Sequence, residues 1–210
     1  MTASEFRAKA REQLTGKRWN AALVVFLVGL IIAIVDAVAN AIFPGTKTMI
    51  MEGFYVTQAS WIASLIVFFA TTFLQLGSTS YFLKIARGEE AEISELFSKG
   101  NLLLKVFVSA LIAGIIVGFG FVLLIIPGII LLLGYVMMRY VYLDNPEIGI
   151  IEALKKSREM MKGHKWQYFC LCLSFIGWVL LIPLTFGILY FWLAPYMAVA
   201  QANFYDSIKE

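Results

Sequence analysis

The sequence predicts an all-α, polytopic membrane protein: six transmembrane helices arranged as three hairpins, with short amphipathic cytoplasmic helices before spans 1, 3 and 5. Three observations lead there. The chain is 60% hydrophobic and only 15% charged, with a mean hydropathy of +0.82, whereas a soluble domain is about half apolar and about a quarter charged. Its apolar residues gather into runs that meet or double the ~20 residues needed to cross the hydrocarbon layer. Its cations then fall almost entirely on one side of the membrane that those runs define. In 210 residues there is room for a single membrane domain.

Residues 1–18 read as a cytoplasmic amphipathic segment, followed by a first span at about 20–43 that only Asp36 and Asn40 interrupt. The basic start and the small-residue pattern Ala37-Val38-Ala39 resemble a secretory signal. The apolar character continues to Phe43, however, which predicts an uncleaved span. The second span covers about 56–83. Two longer apolar stretches follow, one broken at Pro127-Gly128 and one around Pro183 and Gly187. Proline lacks a backbone donor and restrains the residue before it, and glycine takes turn dihedrals readily. Each stretch therefore reads as a helical hairpin, with spans at 102–126 and 128–143 and at 166–183 and 186–204. With the N-terminus inside, sixteen of the 17 Lys and Arg are cytoplasmic and Lys47 alone lies outside. The positive-inside rule thus places both termini in the cytoplasm.

Three segments look alike where the chain enters the membrane: Arg11 to Trp19, Ser94 to Leu102 and Arg158 to Trp166. Each ends in glycine (Gly16, Gly100, Gly163) just before an apolar run, and glycine suits the left-handed position that closes a helix. A second echo pairs residues 120–125 with 177–182. Together they suggest three units of cytoplasmic helix plus membrane hairpin. The clearest cytoplasmic helix is expected at 146–162, capped by Asp144 or Asn145 and opened by Pro146 and Glu147. Ile150, Leu154, Ser157 and Met161 share one face. Glu152–Lys156 and Lys155–Glu159 are spaced for pairing on the other. Lys155, Lys156, Lys162 and Lys165 are the candidate contacts to anionic headgroups if this helix lies on the bilayer surface. Packing beneath the bundle or against a partner is the alternative.

Polar residues inside spans are the functional pointers of such proteins. Asp36, Asn40, Thr71 and Gln75 form the candidate polar intramembrane site. Gly29, Ala33, Ala37 and Ala41 make a stripe of small residues beside Asp36, as do Ala110, Gly114 and Gly118 on the third span. Small residues permit close helix contact, so Asp36 is expected to face protein, there to bind a cation or proton, to stay protonated, or to be hydrogen-bonded by a serine such as Ser60 or Ser64. Ser78 and Thr79 extend the polar face of span 2, and Arg139 reads as a snorkelling anchor at the inner end of a short span. Cys170 and Cys172 are two apart on a helix and point in different directions. His164 has no carboxylate or cysteine near it. These residue types supply no metal set, nucleophile–base pair, cofactor loop or nucleic-acid signature.

Pro127-Gly128, Asp144-Asn145-Pro146, the run from Ser157 to Lys165, Phe175 to Trp178, Pro195-Tyr196 and the opening Arg7-x-x-Ala10-Arg11-x-x-Leu14 carry a family resemblance. The chain resembles the integral-membrane family catalogued as domain of unknown function 975. That resemblance implies a bacterial cell membrane and brings no activity, ligand or catalytic residue. The functional expectation is a non-enzymatic membrane protein acting on membrane lipids, on other membrane proteins or on copies of itself, without a cofactor. A small transporter or channel component built around Asp36 is the alternative. A membrane-embedded lipid-modifying enzyme comes third.

Overall fold

The computed structural model describes residues 1–51, 54–58 and 60–209. In chain order these form α1 (Ala3–Gln13), α2 (Arg18–Ile42), an antiparallel ribbon of β1 (Thr46–Met51) and β2 (Phe54–Gln58), α3 (Trp61–Ala86), α4 (Glu95–Ser98), α5 (Leu103–Leu123), α6 (Ile125–Tyr135), α7 (Met138–Asp144), α8 (Ile150–Met160), α9 (Lys165–Leu173), α10 (Ile176–Leu180) and α11 (Ile188–Ile208). Apart from the ribbon the fold is helical. Five helical segments are long and apolar enough to cross a membrane: Arg18–Ile42, Trp61–Ala86, Gly100–Leu123, Ile125–Asp144 and Lys165–Thr185. The 21-residue α11 has the length of a sixth but carries Pro195, Gln201, Asn203 and Asp206. Residues 56–58, expected to open span 2, belong instead to β2, and the helix begins at Trp61. The side chain of Lys47, the single cation assigned to the far side, lies outside the described residues.

The core sits at one end of the molecule, where α1, α4, α7 and α8 gather around the ends of the long helices. Phe6, Leu76, Leu96, Met137, Tyr142, Met161, Leu171 and Phe204 are fully buried there. α1 is set by its sequence: Thr2 and Glu5 form a reciprocal capping box, and Phe6, Ala10 and Leu14 recur at the helical period on the buried face. Phe6 meets Phe204 edge-on at 5.5 Å, and Tyr168 meets the same ring at 5.1 Å. Away from this core the hairpins carry their large apolar side chains outward, among them Leu30, Ile34, Val38 and Ile42 on α2 and Phe119 to Ile126 at the tip of α5 and α6. In water such a surface would be a liability; against lipid it is the expected coat.

Both apolar stretches do turn, but the first turns earlier than its proline. The break is at Leu124 (φ −163, ψ 152), and Pro127 lies in the first turn of α6, where its missing N–H was never required. Backbone bonding passes through the turn: Leu124 N donates to Gly120 O, and Gly128 N donates to Leu124 O. Gly128 is needed for a different reason. A Cβ there would lie 2.5 Å from the Phe121 ring, and one on Gly120 would come within 3.0 Å of Gly128 Cα. The second turn follows Pro183, through Phe186 (φ 49) and Gly187 (φ 83). Phe186 is 96% exposed. Close to this turn α11 already touches α2, Trp192 on Trp19 at 4.8 Å and Phe191 on Phe26 at 5.8 Å. Trp19 and Phe26 lie in the first turns of α2, so this hairpin packs low on α2.

The small-residue stripes are not contact surfaces. Gly29, Ala33, Ala37 and Ala41 are exposed, as are Gly114 and Gly118, and nothing stands within 4 Å of a Cβ placed on those three glycines. The close approach is made elsewhere, by Gly77, whose Cβ would meet the backbone of Leu96 with its O at 2.2 Å. Of the three similar entry segments, two share a geometry. Gly16 and Gly163 both take left-handed φ (79 and 88) and are followed by exposed Trp19 and Trp166, whereas Gly100 opens a 3-10 turn without positive φ.

The helix expected at 146–162 begins at Ile150, with Gly149 before it and no side-chain cap. Asp144 cannot cap it because its carboxylate is engaged across the core, as described below. Leu154, Ser157 and Met161 are buried as their period predicts, Ile150 is half-buried, and Ser157 Oγ donates to Gly134 O at 3.0 Å. The apolar face of α8 thus packs under the bundle on α5, α6 and α7 and is not free to enter lipid. Among the described residues neither Glu152–Lys156 nor Lys155–Glu159 closes an ion pair.

Glycine at position 77 admits a backbone that no side chain could. Gly77→Ala should destabilise the protein by about 1–3 kcal/mol, the usual cost of overpacking, while Gly114→Ala, with open space around it, should not. Thermal unfolding in detergent of the two variants beside the parent checks this; equal midpoints would show that the Leu96 contact is not a constraint.

Candidate polar cleft within the helix bundle

Two polar clusters lie along the long helices, and the residues singled out from sequence divide between them. The first lies in the groove between α2 and α3, lined by Asp36, Asn40, Ser64, Val67, Phe68 and Thr71. Asn40 Nδ2 donates to Asp36 Oδ1 at 3.0 Å and to Asp36 O at 2.9 Å. The bonds stay within α2. Asp36 is exposed at the groove edge, and neither Ser60 nor Ser64 reaches it with a hydrogen bond; Ser64 shares only the wall. The expectation that Asp36 faces tightly packed protein is therefore corrected, because the small residues beside it have no helix against them.

Gln75 turns away from that groove. Its Oε1 accepts a hydrogen bond from Arg139 Nη1 at 2.6 Å across a second cleft, of about 360 Å³, formed where α2, α3, α7 and α11 diverge. Ser78, Thr79, Tyr190 and Gln201 complete its polar lining, and Val25, Val28, Ile32 and Val136 give it apolar walls. The helix lays out the polar side: 75, 78 and 79 are spaced at i, i+3 and i+4 and so share one face of α3. The hydroxyls of Ser78 and Thr79 donate to Gln75 O at 3.0 and 2.6 Å, an arrangement available to such side chains inside a helix. Arg139 is half-buried on the second residue of α7. It does not behave as a free snorkelling anchor. Its guanidinium is directed between helices at a neutral amide, and among the described residues it makes no ion pair.

The nearest carboxylates are already used. Arg87, just past the end of α3, is bidentate to Asp206, with Nη2 to Oδ1 at 2.8 Å and Nε to Oδ2 at 3.2 Å. It also pairs with Asp144, from Nη1 to Oδ1 at 2.9 Å. Lys209 Nζ and Tyr205 OH both donate to Asp144 Oδ2, at 2.9 and 3.0 Å. The hydrogen bonds to Asp206, and then those to Asp144, raise the Arg87 pKa against the opposing effect of burial. Beside this cluster Tyr140 stacks on Tyr205 at 4.9 Å. Gln13 Nε2 donates to Ala86 O at 2.6 Å and Asn203 Nδ2 donates to Gln13 Oε1 at 2.5 Å, which ties α1 to α3 and α11. A second charged junction holds α4: burial alone would raise the Glu95 carboxyl, but the hydrogen bonds from Lys84 and Ser98 outweigh it and hold the group below its usual range.

Sequence reasoning missed the Arg87–Asp144–Asp206–Lys209 cluster, because its members are scattered along the chain. It also missed that Arg139 and Gln75 meet. The available signal was that both lie in apolar stretches a few turns from the same charged boundary. The surface lysines are also sorted by the fold. Lys155, Lys156 and Lys162 line an open depression with Glu152, Glu159 and His164, while Lys165 is half-buried and turns over Gly134 beside Arg158. His164 reaches only Gln167, Cys170 and Cys172 are free and half-buried, and no group of His, Cys, Asp or Glu among the described residues could hold a metal.

Five helices long and apolar enough to cross a membrane, standing on a charged layer with a polar cleft among them, mark a multi-pass α-helical membrane protein. The chain belongs to the family described as "Protein of unknown function (DUF975)", which matches residues 1–134 and 119–210. No curated protein and no solved structure matches it.

Since the Asp36 carboxylate bonds only within its own helix, neither Asp36→Asn nor Asp36→Leu should shift the unfolding midpoint by more than the equivalent of about 1 kcal/mol, the usual worth of one hydrogen bond. Circular-dichroism melts check this. A larger loss in Asp36→Leu would place a partner helix on the groove.

Proposed function

We propose that the protein is a non-enzymatic component of the bacterial cell membrane, with both termini cytoplasmic, and that it acts through contacts with lipids or membrane proteins. The contact best supported is with anionic headgroups. The observation that carries this reading is the two-sidedness of α8. One face is pinned under the bundle by Leu154, Ser157 and Met161, so the opposite face presents Lys155 and Lys162, with the half-buried Lys156 between them, as a fixed array. Cations held near an anionic leaflet contribute about 1 kcal/mol each, and salt screens them. The orientation is supported by the gathering of α1, α8 and the end of α11 at one end of the fold, which brings the basic segments together as the positive-inside rule requires.

Single cysteines at Thr46 and Lys155, in a background without Cys170 and Cys172, should label from opposite sides of oriented vesicles; labelling of both from one side would end the assignment. In that orientation, replacing Lys155, Lys156 and Lys162 by Gln should reduce phosphatidylglycerol association in native mass spectrometry about a hundredfold, since three cations at about 1 kcal/mol each amount to about 3 kcal/mol and about 1.4 kcal/mol is a factor of ten. Raised salt should do the same to the parent. Association unchanged in the triple variant would move α8 from lipid to protein partners.

A further inference from the structure

Arg139 presents an electrostatic problem that the fold leaves open. It lies five residues before Asp144, so its backbone is ~7.5 Å along the helix from the charged layer, and Gln75 is ~16 Å along α3 from Ala86. Placing an arginine in hydrocarbon costs roughly 2.5–3.5 kcal/mol even on permissive scales, and such residues are found paired or facing a cavity. Arg139 faces a cavity and among the described residues has no ion-pair partner: Asp144 and Asp206 are taken by Arg87 and Lys209. A guanidinium carries five N–H donors in a planar fork, and among the described residues Gln75 Oε1 receives the one hydrogen bond given by this group. The remaining donors stand in a cleft with Ser78, Thr79 and Gln201 and a wall of Val25, Val28 and Ile32. The cleft is open at Gln75, which is exposed, and Gly29 and Leu30 on the adjoining face of α2 are exposed as well. That face is apolar, so the opening gives onto lipid.

We propose that this cleft holds the phosphate of an acidic phospholipid, with its oxygens on the Arg139 fork and the side-chain amides of Gln75 and Gln201, and an acyl chain along the valine and isoleucine wall of α2. Planar, bidentate pairing with phosphate is what a guanidinium does best. A volume of about 360 Å³ suits a headgroup with its chain lying outside. The assignment deepens the lipid-contact reading but uses a surface separate from α8, so the two can fail independently.

The test is a titration of the purified full-length protein with phosphatidylglycerol, followed by native mass spectrometry, with glycerol 3-phosphate as soluble competitor. The parent should retain one lipid more tightly than the rest. Arg139→Gln should weaken that lipid at least tenfold, and Arg139→Lys should recover part of the loss. Gly29→Leu tests the site with Arg139 intact: position 29 lines the cleft and has nothing within 4 Å of its Cβ, so a larger side chain there should occupy the cleft and weaken the same lipid. The Lys155, Lys156 and Lys162 triple variant should keep it, even if it loses all weaker association. Should Arg139→Gln not fold, Gly29→Leu decides. Parent-like retention in the folded cleft variants would overturn the assignment, and so would displacement of the lipid by equimolar glycerol 3-phosphate, which would make this a site for soluble anions.

Discussion

The structure depends on a small group of charges at one end of the bundle. Arg87 closes α3, Asp144 closes α7, and Asp206 and Lys209 stand at the end of α11, so one cluster fixes the ends of three helices that are far apart in sequence. It is partly buried, and burial raises the stakes of such a pair. Removing one partner strands the other charge, whereas the complete set satisfies itself. Tyr205 on Asp144 and the Tyr140–Tyr205 stack extend the junction into the apolar core. Gln13 and Asn203 extend it to α1. Helices with apolar exteriors have little hydrophobic reason to associate inside lipid. A polar junction at the boundary supplies the register that a greasy interface does not.

From that junction outward the packing becomes progressively local. α2 continues mainly against α3 beyond its contacts with α11, and α5 and α6 depend on each other through Gly120 and Gly128. The turns at Leu124 and at Pro183–Gly187 are made largely of apolar residues and carry backbone bonds of their own, Leu124 N to Gly120 O in the first and Gly187 N to Ile182 O in the second; Thr185, the polar exception, donates its hydroxyl to Ile182 O. Bonds made inside a turn count for most where water is scarce. The same logic explains α8, whose charged face can remain solvated only because its apolar face is covered by protein.

The two polar clusters differ in what they leave unresolved. Asp36 and Asn40 satisfy one another inside one helix, at an exposed groove. Arg139 spends one strong hydrogen bond on a neutral amide and retains its charge and most of its donors in a cleft that adjoins lipid. On physical grounds the second is the more demanding arrangement, and so the better place to look for a ligand.

The sequence by itself determined the class of fold. Run lengths, the one-sided cations and the helical periods of α1 and α8 are local properties, and lipid and water act on them in the same way whatever the partners. The apolar breaks, the two equivalent glycines at 16 and 163 and the buried face of Leu154, Ser157 and Met161 were legible for that reason. Tertiary structure alone decided the rest. A glycine's sequence context does not say whether another backbone lies against it, so Gly77 was overlooked and the stripe at Gly29 was credited with contacts it does not make. Asp144 reads as a helix cap from its neighbours and becomes an ion-pair centre only when Arg87, Tyr205 and Lys209 arrive from distant parts of the chain. Thr71 and Gln75, one turn apart on α3, serve different clefts because α7 and α11 join α2 beside Gln75 and not beside Thr71. Pairings of that kind are set by the long-range geometry of the bundle, which no local pattern encodes.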